Sequence, residues 1–413
     1  MSEMIFENFP KDLQEALLRC DALAGPEQLE YFYQLYDPKT GGFYYSISSR
    51  DAEEMTPFSE GTSFSLEALR YGGLTLPDWY KEKVGTWIQN HQDEGDGFFY
   101  EDLWGKITSG ARIYRDLNYS KGILSWCGKE ALYTYPEDRI KSGEAASTES
   151  AGFPEYLESE EKMKAYLDSL DWSTKAIWGT GQKLTTAKGM MKAAGLFEFV
   201  HDYIVAKQNK ETGLWGDDYD WMNTNGAMKL SGFFQDEDHP FPNPELAVES
   251  IKKIYAGEKP PTSATWIWNP FVLMSAILRS NAKKADELRA MLMESGAEIV
   301  NRAVDCALLL HREDGGFASG IGGATPRQQG YLFGYGTKTE SDLDGTLIAG
   351  PRLRNYIWSV FGVKAPGGYY AEKNDEFWER CKNKPEIVKT LPRPEGALTP
   401  ASSPVHPQYK PVW

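Results

Sequence analysis

Two aspartates in the stretch ESDLDGT, Glu340 to Thr346, are the first residues that suggest chemistry. Asp342 and Asp344 open a segment that is otherwise apolar, so at least one of them is expected to face inward. A carboxyl pushed upward by burial is suited to proton donation. Asp at a helix start is also a common cap, and Asp342 can be only that. Glu60, in FSEGTSF, is either a general acid or base or a first-turn carboxylate that complements the helix dipole. Arg112, Arg115 and Asp116 share GARIYRDLNYS. Two arginines beside one aspartate bind a carboxylate or hold a catalytic aspartate in register, and a structural ion pair is the alternative. Paired carboxylates across a cavity do general acid and base work on a glycosidic bond. The expected pair is Asp344 with Glu60, and Asp116 is the substitute.

Asp217, Asp218 and Asp220 lie in GDDYDWMNTNG. Three carboxylates within four positions either gather a metal ion or form a solvated loop with Asx turns and caps. The run lacks the sixth-position glycine of an EF-type calcium loop, and no metal or other cofactor is expected. Trp221 is a sugar platform or core. Asn225 follows it, and Lys229, one turn on, pairs with a site carboxylate or snorkels between helices. Trp268 and Asn269, in WIWNPF, are read as a stacking ring and a buried amide for ligand hydroxyls. The amide alternatively satisfies the chain before Pro270.

These residues need elements to position them, and the sequence repeats one. A polar-polar-Gly-aromatic turn recurs as DPKTGGFYY from Asp37, QDEGDGFFY from Gln92, QNKETGLWG from Gln208 and HREDGGFAS from His311. Apolar residues at helical spacing precede each turn, for example Tyr80, Val84, Trp87 and Ile88 before the second. Gly past a helix end takes the left-handed conformation, and the aromatic after it folds back between helices. Six small-residue segments follow, starting at Ser59, Leu117, Gly181, Asn223, Thr265 and Ser341. Their Gly, Ala, Ser and Thr permit close approach, as inner helices require. More charged segments starting at Pro77, Pro154 and Asn243 alternate with them as outer helices. The expectation is an all-α protein, an (α/α)6 toroid over residues 1–381 with a Pro-rich extended tail over 382–413. The stretch KSGEAASTESAG, Lys141 to Gly152, reads as a polar loop.

Composition narrows the function. A formal charge of -16 over 413 residues repels phosphate backbones and anionic membranes, so no nucleic-acid or membrane partner is expected. The 13 Trp, 23 Tyr and 19 Phe are enough to fill a core and also line a cavity. Cys20, Cys127, Cys306 and Cys381 lie far apart with no CxxC pair, which predicts neither a zinc knuckle nor a disulfide frame. The opening residues lack a basic stretch followed by an apolar run, and no window approaches 18 apolar residues, so a cytoplasmic protein is expected.

The Gly-aromatic turns and small-residue helices, carried by YQLYDPKTGGFYYS, KETGLWGDD and NGAMKLSGFF, resemble the α/α-toroid superfamily. That superfamily includes terpenoid cyclases, protein prenyltransferases and six-hairpin glycosidases and lyases, and the chain is most similar to bacterial members. The resemblance implies the toroid architecture rather than an activity, with any site in the central cavity. Class II cyclases carry DxDD; here Gly345 replaces the last Asp, leaving Asp344 as the only matching proton donor. The zinc prenyltransferases need an Asp, Cys and His set, and none of the five histidines falls in an inner segment with a cysteine partner. The expected function is a carbohydrate-active enzyme, a glycoside hydrolase acting on an oligosaccharide or other small molecule. A terpenoid cyclase-like enzyme, a polysaccharide lyase and a sugar-binding toroid are the alternatives.

Overall fold

The computed structural model describes residues 6–106, 111–136, 138–139, 155–257, 259–328, 331–334 and 337–392. The loop read at Lys141 to Gly152, and the tail from residue 393 onward, lie outside the described residues. The chain is mostly helical. Two short strands, Arg327–Gln328 and Tyr331–Leu332, pair antiparallel. All six small-residue segments fall on helices. The last is broken: Leu343–Leu347 and Leu353–Val360 are separated by a π-helical stretch, Ile348–Arg352, with Gly350 at φ −94 and ψ −113. Pro351 has no N–H to continue the ladder, and its ring crowds the preceding turn. Among the described residues no helix is long and apolar enough to cross a membrane.

The chain divides into two compact units. One comprises Met1–Asp21, Ser147–Cys306 and Leu353–Ala365. In it the helices Ile177–Ala193, Trp221–Leu230, Ala264–Ser280 and Leu353–Val360 pack each against the next. Small residues set the spacing. A Cβ on Gly226 would lie 2.6 Å from the Ile177 side chain, so only hydrogen fits between those helices.

The other unit comprises Ala22–Ala146, Ala307–Arg352 and Pro366–Trp413. Here Leu343–Leu347 packs beside Ser59–Tyr71, which packs beside Ala111–Cys127, which in turn meets Asp78–Gln89. Its core is aromatic. Phe58 stacks on Phe333 at 4.9 Å and meets Trp104 edge-on at 5.8 Å. The chain after Lys382 is held by its own hydrogen bonds. Lys384 donates to the carbonyls of Tyr33, Gln34 and Tyr36, and the amides of Thr390 and Leu391 both donate to the Asp51 carbonyl.

The four Gly-aromatic turns share one hydrogen-bond pattern. In the first, the Asp37 amide donates to the Gly42 carbonyl and the Gly41 amide donates to the Asp37 carbonyl, both at 2.9 Å. Asp93, Asn209 and Arg312 repeat both bonds, the fourth turn being one residue tighter. The glycines Gly41, Gly97, Gly213 and Gly315 have φ of 81, 78, 67 and 91. Phe43, Phe99, Leu214 and Phe317 are buried beside them. Gln92 clamps its turn by donating to the Gly97 and Tyr133 carbonyls, and Gln208 does the same to those of Gly213 and Pro242.

A Cβ on Gly97 would sit 2.1 Å from the Thr134 carbonyl oxygen, whereas one on Gly105, at φ 69, meets nothing within 4 Å. Gly97→Ala is therefore expected to cost at least about 2 kcal/mol from backbone strain plus the clash, and Gly105→Ala only the strain. Urea unfolding of the two variants side by side measures the difference.

Candidate functional site

Site residues from both halves of the sequence reading meet in the second unit. The helix Ser59–Tyr71 presents Glu60 in its first turn. The helix Ala111–Cys127 carries Arg112, Arg115 and Asp116. Spacings of three and four put all three, and Tyr119 one turn later, on a single face. The short helix Leu343–Leu347 contributes Asp344 and is capped by Asp342.

Glu60 lies between two guanidinium groups. Arg112 Nη1 is 2.5 Å from Glu60 Oε2, and Arg115 Nη2 donates to Glu60 Oε1. Arg112 also donates to Asp116 through Nε at 2.8 Å and through Nη2. The Trp104 indole N–H donates to the second Asp116 oxygen at 3.3 Å. Arg112 further lies 5.2 Å over the Trp104 ring and 5.8 Å over Phe333. Burial pushes the Glu60 carboxyl up, but Arg112 and Arg115 overcome it and hold the group below the ordinary carboxylate range. Burial moves Asp116 upward, Arg112 opposes this, and the charges of Glu101 and Glu60 reinforce it. Both Glu60 and Asp116 are enclosed, with side chains 2% exposed. The part expected of them, a carboxylate open to substrate, is not the one they have: their oxygens are taken up by arginine and indole N–H groups.

Asp342 and Asp344 divide the roles that the sequence left open between them. Asp342 is fully buried and accepts four hydrogen bonds. Its Oδ1 takes the Gly345 amide at 2.7 Å and the Ser319 hydroxyl at 2.6 Å; its Oδ2 takes the Ser319 and Thr325 amides at 3.0 Å. It is a cap that ties the fourth Gly-aromatic turn to the helix. Asp344 is only half-buried. Protein surrounds its carboxyl, yet the residue keeps some accessible surface. Burial raises its pKa to about 7, helped by the charges of Asp342 and Glu60 and opposed by Arg115 and Arg352.

Three contributors escaped the sequence reading. Arg352 pairs bidentately with Glu67 at 2.7 and 2.6 Å and lies 5.5 Å over Phe64. It reaches there because the chain kinks just before it. Tyr119 accepts a hydrogen bond from Arg115 at 3.2 Å and meets Phe64 edge-on at 5.5 Å. Its place at i+7 from Arg112 was the signal available. Burial, with Glu60 second, pushes its hydroxyl far above the ordinary range, so it is no base at neutral pH. Glu101 accepts the Ser59 amide at 2.8 Å and lies 3.8 Å from His91, whose other ring nitrogen is 3.6 Å from Asp102.

The remaining candidates belong to the first unit. Asp218 is exposed on the loop before Trp221, and its carbonyl accepts from Asn223. Asp220 caps the helix Trp221–Leu230 through the Met222 amide. Trp221 is core: its indole N–H donates to the Lys259 carbonyl at 2.8 Å and its ring meets Tyr255 at 4.9 Å. The Asn269 amide donates to Asn225 Oδ1 at 2.7 Å, with both residues fully buried. Lys229 lies 5.8 Å over Trp178, and Trp268 meets Tyr356 edge-on at 5.5 Å. Among the described residues, no group of three or more His, Cys, Asp or Glu is arranged to hold a metal ion.

Within this geometry Asp344, a residue that keeps some accessible surface, can give up a proton near neutral pH beside guanidinium groups already balanced by carboxylates. Comparison with models of protein families, with curated proteins and with solved structures finds no match for this chain.

Proposed function

We propose that the protein is a carbohydrate-active hydrolase in which Asp344 is the general acid. The observation that carries this reading is the Asp344 carboxyl, on a residue that keeps some accessible surface, raised to about 7 and bordered by the charges of Arg115 and Arg352. A carboxyl titrating there is protonated often enough to donate to a glycosidic oxygen and acidic enough to release its proton. A passive sugar-binding site needs no such shift. Glu60 and Asp116 act behind it, holding Arg115 and Arg112 in place. The high-titrating Tyr119 speaks against the lyase variant, which needs a side-chain base.

The toroid is proposed on the same terms. What supports it is the recurrence of one turn geometry and the packing of successive small-residue helices within each unit. A second reading, the terpenoid cyclase-like one, is favoured by a single fact: among Asp344, Asp342, Glu60 and Asp116, only Asp344 is a residue that keeps appreciable accessible surface, as a proton donor to an alkene requires. The rings of Phe64 and Tyr119 beside the arginines suit it too.

Product chromatography against neutral and acidic oligosaccharides and polyprenyl diphosphates separates the two readings. Sugar cleavage lost in Asp344→Asn is the expected result. Isoprenoid turnover would replace the hydrolase by the cyclase, and sugar binding without turnover would leave a binding module.

A further inference from the structure

Every arginine at the site is committed to a carboxylate. Arg112 is shared between Glu60 and Asp116, and Arg352 has Glu67. Arg115 has Glu60, and it differs from Arg112 in exposure: its side chain is 32% exposed, against 0% for Arg112. Two of its nitrogens are engaged, Nε and Nη2 with Glu60 and Nη2 also with the Tyr119 hydroxyl, so a further hydrogen bond to a ligand would fall to Nη1. A guanidinium whose charge is cancelled still donates hydrogen bonds, but it offers little to an anion. Asp342 and Glu60 lie close enough to Asp344 to shift it, so an added carboxylate would meet repulsion at this point.

We propose that Glu60 is the specificity-determining residue of this site. By neutralising the part-exposed Arg115 it tunes the site to neutral, hydroxyl-bearing sugars and excludes uronic acids. This rests on the reading of the surroundings of Asp344 as a sugar site. Glu60 touches no substrate; it acts through Arg115, as a positioning residue. The substitution Glu60→Gln keeps the size and one acceptor oxygen but removes the charge. Arg112 then retains Asp116, and Arg115 is left with no counter-charge on its partner. An arginine in that state is an anion receptor.

The test is binding, measured calorimetrically and by thermal shift, with glucose and glucuronate as probes on wild type and Glu60→Gln. Wild type is expected to prefer glucose. Glu60→Gln is expected to bind glucuronate about tenfold more tightly than wild type does, the worth of one charged hydrogen bond, with glucose affinity little changed. Glucuronate should also restore part of any thermal stability the variant loses, which glucose should not. A merely structural Glu60 would predict equal loss with both sugars, and that result overturns the proposal. Should the variant fail to fold, wild type decides: tighter binding of an oligogalacturonate than of a neutral gluco-oligosaccharide overturns the proposal, and the reverse order supports it. Neutral-sugar binding without cleavage supports the specificity inference while removing the hydrolase; binding of neither sugar class overturns both.

Discussion

Asp344→Asn is expected to lower turnover by about 10²–10⁴-fold, the usual worth of a positioned general acid. In wild type the rate should fall as pH rises through about 7, because the donor is the protonated carboxyl. The variant should lose that limb of the profile. The same residue predicts a stability signature that needs no substrate. Its folded pKa lies above the ordinary 3.8, so the folded state holds the proton more tightly than the unfolded chain. The stabilisation from this group is complete below the unfolded value and is lost as pH rises through about 7. Asn does not ionise. The melting temperature of Asp344→Asn should therefore gain on wild type as pH rises across that window, with most of the gain reached by its upper end. Equal pH dependence of the two proteins would mean that Asp344 titrates as an ordinary surface carboxyl, and the proposed acid would go with it. A gain in stability on removing the proposed acid would be the usual trade between activity and stability.

Arg112→Met should be the most destabilising single change at the site. Arg112 is fully enclosed and bonds both Glu60 and Asp116. Removing one partner of a buried ion network leaves unpaired charge in low dielectric, at about 3–5 kcal/mol. The sign of the pH effect follows. Glu60 titrates below the ordinary range in wild type, so its contribution is present at neutral pH and is lost on acidification through its folded pKa. Without Arg112 the two carboxyls accept protons more readily, so the penalty should shrink as the medium is acidified. Urea unfolding at about pH 8 and about pH 5, on either side of the expected titration, measures this. A penalty independent of pH would mean that Arg112 contributes through packing against Trp104 and Phe333 alone.

The sequence by itself determined what short-range physics determines. Helical spacing of apolar residues marked the segments that are helices. The Gly-aromatic pattern marked four turns, because a left-handed residue is easily accommodated only where there is no Cβ, whatever the rest of the fold does. The run Arg112, Arg115, Asp116 was readable as an ion cluster from its residue types, but the sequence pattern places it just before a helix starting at Leu117; the helix begins at Ala111 and so puts the three side chains on one face. The partners of this cluster were not readable. Glu60 is 55 positions from Arg115, and nothing local says that their helices touch. The division between Asp342 and Asp344 depended on the same kind of information. Both residues start a helix, but one meets the Ser319 turn, 23 positions away, and is saturated as a cap, while the other keeps some accessible surface. Arg352 became part of the site only because Pro351 and Gly350 break a helix that the apolar pattern ran straight through. Which carboxylate is neutralised, which is capped and which can titrate is decided by neighbours distant in sequence. Electrostatic energy depends on separation and burial in space, and those quantities exist only once the chain has folded.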